Sequence, residues 1–363
     1  MKMISSSNYR FGGICLVVFI FIYAVWSPFK GFVSDNVVVS SKPKIIEPGE
    51  SAIKHYLGSK DCGILQSDIY HVPYPAKPNV SPFCKNRATL LEALGSGGRH
   101  GFDEPYVGKG CTYRWFSTSE ICMILERFSA VVFLGDETAQ TIYAALNVFL
   151  REDISHGGLQ EWMMTDDERI ACKCDAQFLD NNCLGYSVKN FEEVIKNEAN
   201  DPKGSPYACQ RTPHAYIPFM TTPASSAAIA TFQSLAYQKP DPWQPTPVIF
   251  SLGHRFSHDM KFSVDSINEW IGITNGAERN IPILLLGPTA YGVSRQSSND
   301  GNMEIWKYQE ELNRIAPDKH MDILRLWNLT IQASSTDGER YGEKVALVQA
   351  MMIINWLAKL ETS

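Results

Sequence analysis

The chain has 363 residues, a net charge of −6, 44% hydrophobic residues and 20% charged residues. That apolar share excludes a disordered chain, and the length suits one large domain or two ordinary ones. No basic block interleaved with aromatics occurs, so nucleic acid is excluded as a partner.

Residues 11–26, FGGICLVVFIFIYAVW, carry no charge and lie between Lys2 and Arg10 on one side and Pro28 and Lys30 on the other. The stretch is near the lower limit for a bilayer crossing and near the upper limit for a signal-peptide core. Tyr23 and Trp26 suit the membrane interface, and no A-x-A-like cleavage site follows. The expectation is an uncleaved signal anchor, one transmembrane helix meeting the membrane through residues 11–27. Residues 1–30 then form the cytosolic tail and anchor of a single-pass type II protein, and the rest is luminal. A cleaved signal peptide and a buried soluble helix are the alternatives.

Residues 31–60 read as a stalk with little periodicity, and residues 61–363 as the luminal domain. Its first part, 61–128, is rich in Pro and Gly and carries Cys62, Cys84, Cys111, Cys122 and the aromatic run Tyr113-Arg114-Trp115-Phe116. It is expected to be a disulfide-rich, loop-built collar. A second group, Cys172, Cys174, Cys183 and Cys209, falls in a long insertion over 166–244. Eight cysteines in a luminal domain read as disulfides. Zinc at Cys172-x-Cys174 is the alternative, at a spacing unlike a standard knuckle. Asn79-Val-Ser81 and Asn328-Leu-Thr330 are sequons, the first followed by Pro82 and the second set for burial.

From residue 129 the pattern changes. Apolar runs at 130–134, 247–252, 281–286 and 322–326 are separated by helical patterns or long connections. Strands spaced so widely need crossovers, which predicts an α/β fold with a parallel sheet and helices on both faces. The first run breaks at Gly135. Asp136-Glu137-Thr138 then open a helix whose apolar side is Ile142, Ala145, Leu146 and Phe149. The run over 343–361 is apolar nearly all round and predicts a buried terminal helix; Gln349, Asn355 and Lys359 argue against a second membrane crossing.

Ligands of open parallel sheets sit beyond the carboxyl ends of the strands. Those ends carry Gly135-Asp136-Glu137, Gly253-His254, Gly287-Pro288 and the later Asp337-Gly338-Glu339-Arg340. They predict a convergent cleft, with simple turn chemistry as the alternative.

The order Cys111-x-Tyr-Arg-Trp-Phe, Cys122, Gly135-Asp136, Gln140-x-Ile-Tyr143 and Asp337-Gly338-x-x-Tyr341 resembles the PC-esterase group. That group is the trichome-birefringence-like and CAS1-domain branch of the SGNH/GDSL hydrolases. The resemblance runs from Cys62 to the C-terminus, with 166–244 poorly matched. It implies an SGNH-like three-layer domain, a Golgi or other secretory-pathway membrane, and O-acetyl transfer to or from polysaccharide hydroxyls, with no metal or organic cofactor. The implied chemistry needs a serine after Gly-Asp, a histidine three residues after an orienting Asp, and an oxyanion hole.

In this chain Asp337 matches the orienting Asp, and Gly253 is placed to serve an oxyanion. The serine position holds Glu137, and the histidine position holds Arg340. A carboxylate would give a labile mixed anhydride, and arginine stays protonated. Thr138 is a displaced hydroxyl. His156, His214, His254 and His258 are the remaining bases, with His254 favoured because it ends a strand; Tyr341 is a further binding candidate. The two exchanges fall on contacting roles, so Glu137 and Arg340 are expected to bridge the site as an ion pair; two unrelated losses are the alternative. The expected function is acting on or binding cell-surface polysaccharide, with canonical Ser–His catalysis lost and the cleft kept to bind glycans or a partner acyltransferase. An active O-acetyltransferase or acetylesterase is the competing reading.

Overall fold

The computed structural model describes residues 52–71, 73, 81–180, 182, 183, 185, 214–219, 221–237, 243–254, 257–277, 279–292 and 301–361. All of these lie within one compact unit, residues 46–363. Residues 11–27, Cys15, Asn79 and Cys209 lie outside the described set. Among the described residues no helix is long and apolar enough to cross a membrane.

Five parallel strands form the sheet: β1 (Val131–Gly135), β2 (His214–Pro218), β3 (Val248–Ser251), β4 (Ile283–Leu286) and β5 (Asp322–Leu324), in the order β2-β1-β3-β4-β5. The central strands are apolar on both sides, as parallel strands covered by helices must be. Phe133 lies opposite Tyr216 on one side and Ile249 on the other, which fixes the register at the sheet centre. The predicted runs at 130–134, 247–252, 281–286 and 322–326 correspond to β1, β3, β4 and β5, and the α/β parallel-sheet expectation holds. The apolar pattern did not announce β2, which lies inside the 166–244 stretch and pairs with β1 as an edge strand.

Seven helices of eight or more residues accompany it among the described residues: α1 (Arg87–Gly95), α2 (Thr118–Leu125), α3 (Glu137–Arg151), α4 (Ser226–Ala236), α5 (Met260–Asn275), α6 (Gly301–Asp318) and α7 (Glu343–Ala358). Alternating strand side chains divide between two cores. Val131, Phe133, Ile249, Leu284 and Leu324 join α1, α2, α3 and α7 on one face. Val132, Leu134, Phe250 and Leu285 join α4, α5 and α6 on the other. The result is helix, sheet and helix in three layers. The terminal helix α7 is buried nearly all round, from Val345 to Leu357. Each such fully buried Leu, Ile or Met is worth roughly 1.5–3 kcal/mol.

The collar packs onto this frame. Tyr70 meets Tyr113 at 5.4 Å and Trp115 at 5.6 Å, and Trp115 meets Phe149 of α3 at 5.7 Å. Asn355 of α7 accepts from the Arg114 N–H at 2.8 Å and donates to the Arg114 carbonyl at 2.7 Å. The cysteines pair as Cys62–Cys174, Cys84–Cys111 and Cys172–Cys183, and Cys122 is disulfide-bonded too. Cys172, Cys174 and Cys183 are thus spent in disulfides, which removes the zinc alternative. Asn328 donates to the Gly95 carbonyl at 2.7 Å, and Thr330 of the same sequon is fully buried.

Candidate functional site

The order β2-β1-β3-β4-β5 reverses direction between β1 and β3, and ligands of such sheets bind at that switch, outside the strand carboxyl ends. β1 ends at Gly135, whose φ of +151° and whose approach to the Ser251 carbonyl, 2.4 Å from where a Cβ would stand, require glycine. Asp136 follows and caps α3: its Oδ1 accepts from the Thr138 N–H at 3.1 Å and from the Ser251 hydroxyl at 2.8 Å. Burial pushes the Asp136 carboxyl above its ordinary range, against these hydrogen bonds. Tyr216 of β2 donates to the carbonyls of Gly135 and Asp136, at 3.1 and 3.2 Å, and pins the turn from the sheet edge. Gly253, after β3, has φ +53°, and a Cβ there would lie 1.6 Å from Asp136 Oδ2. The two strand ends are therefore locked together through one buried carboxyl.

Beyond this lock opens a cavity of about 280 Å³, lined by Asp136, Glu137, Thr138, Thr141, His254, Thr289, Glu339, Arg340, Tyr341 and Gln349. Glu137, Thr141 and Arg340 also line an adjoining hollow of about 260 Å³ that runs toward Gln177, Asp180 and Cys183. A larger groove of about 600 Å³ lies around the start of β5, between α1 and α6. It sits at the wrong end of the strands for a sheet ligand, so the smaller cavity is the candidate site.

Most of the sequence-predicted site residues meet here. Asp136, Glu137, Thr138, His254, Arg340 and Tyr341 share the one wall. Gly135 and Gly253 stand behind it as backbone.

Asp337 holds Arg340 from within its own turn. Its Oδ2 accepts from Arg340 Nε at 2.6 Å, and its Oδ1 accepts from the backbone N–H groups of Glu339 and Arg340 at 2.9 and 2.8 Å. Partial burial pushes the Asp337 carboxyl up, but these bonds outweigh it and hold it below the ordinary carboxylate range. Arg340 Nη1 also donates to the Leu179 carbonyl. Tyr341 donates to the Ala290 carbonyl at 2.6 Å, which ties this turn to the loop after β4.

Of the four candidate histidines, His254 alone is in the cavity wall. His214 is buried in β2, its Nδ1 2.8 Å from the Tyr143 hydroxyl, and burial lowers its pKa to about 4. His156 sits in the loop after α3, with Nε2 2.9 Å from the Arg169 carbonyl. His258 stands behind His254 at 3.0 Å. Sequence reasoning passed over Thr289, Thr141 and Gln349 as site residues, and named Glu339 only as part of the loop expected at the cleft. The signal for Thr289 was its place just after Gly287-Pro288, at a strand end already expected to face the cleft.

Asp153, His156 and Glu161 present ligand atoms within 4.8 Å of one another. Arg151 Nη2 lies 3.2 Å from Glu161 Oε1, so that carboxylate already has a cationic partner.

No family model, curated protein or solved structure matches the chain. The class that fold and site define is a disulfide-bonded α/β protein with a five-stranded parallel sheet and a polar cavity at its switch point.

Proposed function

We propose that this cavity binds an O-acylated polysaccharide in the secretory pathway and that the Ser–His chemistry of the PC-esterase group is lost from it. The observation that carries the reading is that Glu137 and Arg340, which stand at the nucleophile and base positions of that group, line one cavity at the switch point and also the hollow beside it. Carboxylates, hydroxyls and a guanidinium form charge-assisted hydrogen bonds to sugar hydroxyls, and Tyr341 completes the lining. The disulfides favour an oxidising compartment, and residues 11–27 supply the anchor. We read Glu137 and Arg340, which line the same cavity, as a coupled pair, and Asp337 holds the guanidinium in place.

Calorimetric titration of the full-length protein with an O-acetylated polysaccharide and its de-acetylated form tests the reading. Binding is expected, and Glu137→Ala or Arg340→Ala should weaken it about tenfold or more. The double variant should be no weaker than either single one, the mark of a coupled pair. Absence of binding to both polysaccharides would reject the reading.

A further inference from the structure

The cavity holds a hydroxyl–imidazole pair away from the Glu137 and Arg340 positions. Thr289, in the loop after β4, has its Oγ1 2.7 Å from His254 Nε2. His254 Nδ1 lies in turn 3.0 Å from His258 Nε2. One arrangement of protons satisfies both contacts with Thr289 as donor: its hydroxyl gives to His254 Nε2, and His254 Nδ1–H gives to His258 Nε2. Burial lowers the His258 pKa, against an opposing pull from Glu304, which suits a neutral acceptor ring at that place.

The imidazole is held on several sides. His254 stacks on Tyr291 at 4.9 Å with the planes 22° apart. His258 meets it edge-on at 5.1 Å and leans on Tyr308 at 5.2 Å. Ser257 and His258 have φ of +50° and +57°. Two successive non-glycine residues in the left-handed region cost energy, and such strain gathers where a site needs it. Thr289 is 4% exposed, yet it lines the cavity. A nucleophile hydrogen-bonded to a base that a third group orients is the arrangement acyl transfer requires.

We propose that Thr289 is the nucleophile of an acyl-transfer centre, with His254 as its general base and His258 as the residue that positions His254. The substrate class is an ester of a sugar hydroxyl, which rests on the reading of this cavity as an acylated-polysaccharide site. Thr289 Oγ attacks the acyl carbon while its proton passes to His254 Nε2. The bond from the acyl carbon to the sugar oxygen breaks, and the leaving oxygen takes that proton. Water, or a second sugar hydroxyl, then attacks the threonyl ester, gives its proton to His254 and frees Thr289, which recovers a proton from His254. Arg340 supplies positive charge to the same cavity for the oxyanion.

The test gives the full-length protein p-nitrophenyl acetate, follows p-nitrophenolate release, and maps quenched peptides by mass. An acetyl group on the peptide carrying Thr289 is expected. Thr289→Val should lower turnover about 100-fold or more, and His254→Gln similarly. Thr289→Ser, which keeps the hydroxyl, should stay within about tenfold of the parent. His258→Gln retains an acceptor near Nε2 and should hold most of kcat, whereas His258→Leu should lower kcat about tenfold with KM unchanged. Thermal melts of every variant report folding, and Thr289→Ser guards against a trivial loss. An acetyl group found elsewhere, undiminished turnover in Thr289→Val, or Thr289→Ser as inactive as Thr289→Val would overturn the proposal. Polysaccharide binding without any ester turnover would reject the nucleophile and leave the binding reading standing. Acetyl-Thr289 without polysaccharide binding would do the reverse.

Discussion

Asp337 orients Arg340, three residues on in the same turn. It binds Arg340 Nε at 2.6 Å and fixes the same turn through two backbone N–H groups. On the proposed reading this is the carboxylate that would steer an imidazole, and here it holds a guanidinium. This leads to a test of the resemblance itself. In a Thr289→Val background, Glu137→Ser combined with Arg340→His should raise p-nitrophenyl acetate hydrolysis about tenfold or more over that background. The gain would be small beside the roughly 10^6 that a complete triad provides. A correctly folded variant with no gain would reject the assignment of these two positions. Asp136, Glu137 and the Asp337-x-x-Arg340 turn were legible because each lies in a short motif next to a glycine. The Thr289–His254 contact was not, since it joins residues 35 apart in sequence and depends on where two loops leave adjacent strands. Gly253 was legible as a strand-end glycine. Its closeness to Asp136 depends on the pairing of β1 with β3, which no local pattern carries.

Among the elements, β1, β3 and β4 declared themselves because buried parallel strands are continuous apolar runs bounded by turn residues. β2 did not. Its sequence His214-Ala-Tyr-Ile-Pro begins with a histidine and ends in a proline, which suits an edge strand and weakens the run. The helices α3 and α7 were legible as apolar stretches, but the electrostatics at the start of α7 were not. There the Asp175 Oδ1 accepts from the Glu343 N–H at 2.7 Å, while the Glu343 carboxyl is itself buried. Burial, reinforced by the charge of Asp175, raises the Glu343 pKa from 4.5 to about 8. The folded chain thus keeps a proton that the unfolded chain releases near pH 4.5. Its contribution to stability is complete below that pH and is lost as pH rises through about 8. His214 works on the other limb: its pKa falls from 6.5 to about 4 on folding, so its contribution is present above 6.5 and is lost as pH falls through about 4. Urea unfolding across pH 4–9 should show both slopes. Glu343→Gln should flatten the alkaline one and stabilise the protein by about 1–3 kcal/mol at pH 8.5, because no charge is then forced into the buried site. An unchanged alkaline slope in Glu343→Gln would show that another group carries it.

At the scale of the molecule, two bridges that share a neighbourhood have different work to do. Cys62–Cys174 spans a sequence separation of 112 and ties the collar to the segment after α3. Cys172–Cys183 spans only 11, and Cys183 lines the hollow that meets the cavity at Glu137, Thr141 and Arg340. Chain entropy makes the longer loop the costlier one to leave open, about 4.7 kcal/mol for a closed loop near 100 residues against about 3 for one near 15. Replacing Cys62 and Cys174 by alanine should therefore lower unfolding stability by about 1–2 kcal/mol more than replacing Cys172 and Cys183. Polysaccharide affinity should follow the opposite order, because the short bridge shapes the wall beside Glu137 while the long one acts through the collar. Unfolding curves and binding isotherms on the two double variants would decide it. Equal losses of stability would mean that the unfolded chain is already held by its other bridges. Equal losses of affinity would mean that the hollow beside Cys183 takes no part in recognition, leaving the cavity between Glu137, His254 and Thr289 to hold the ligand alone.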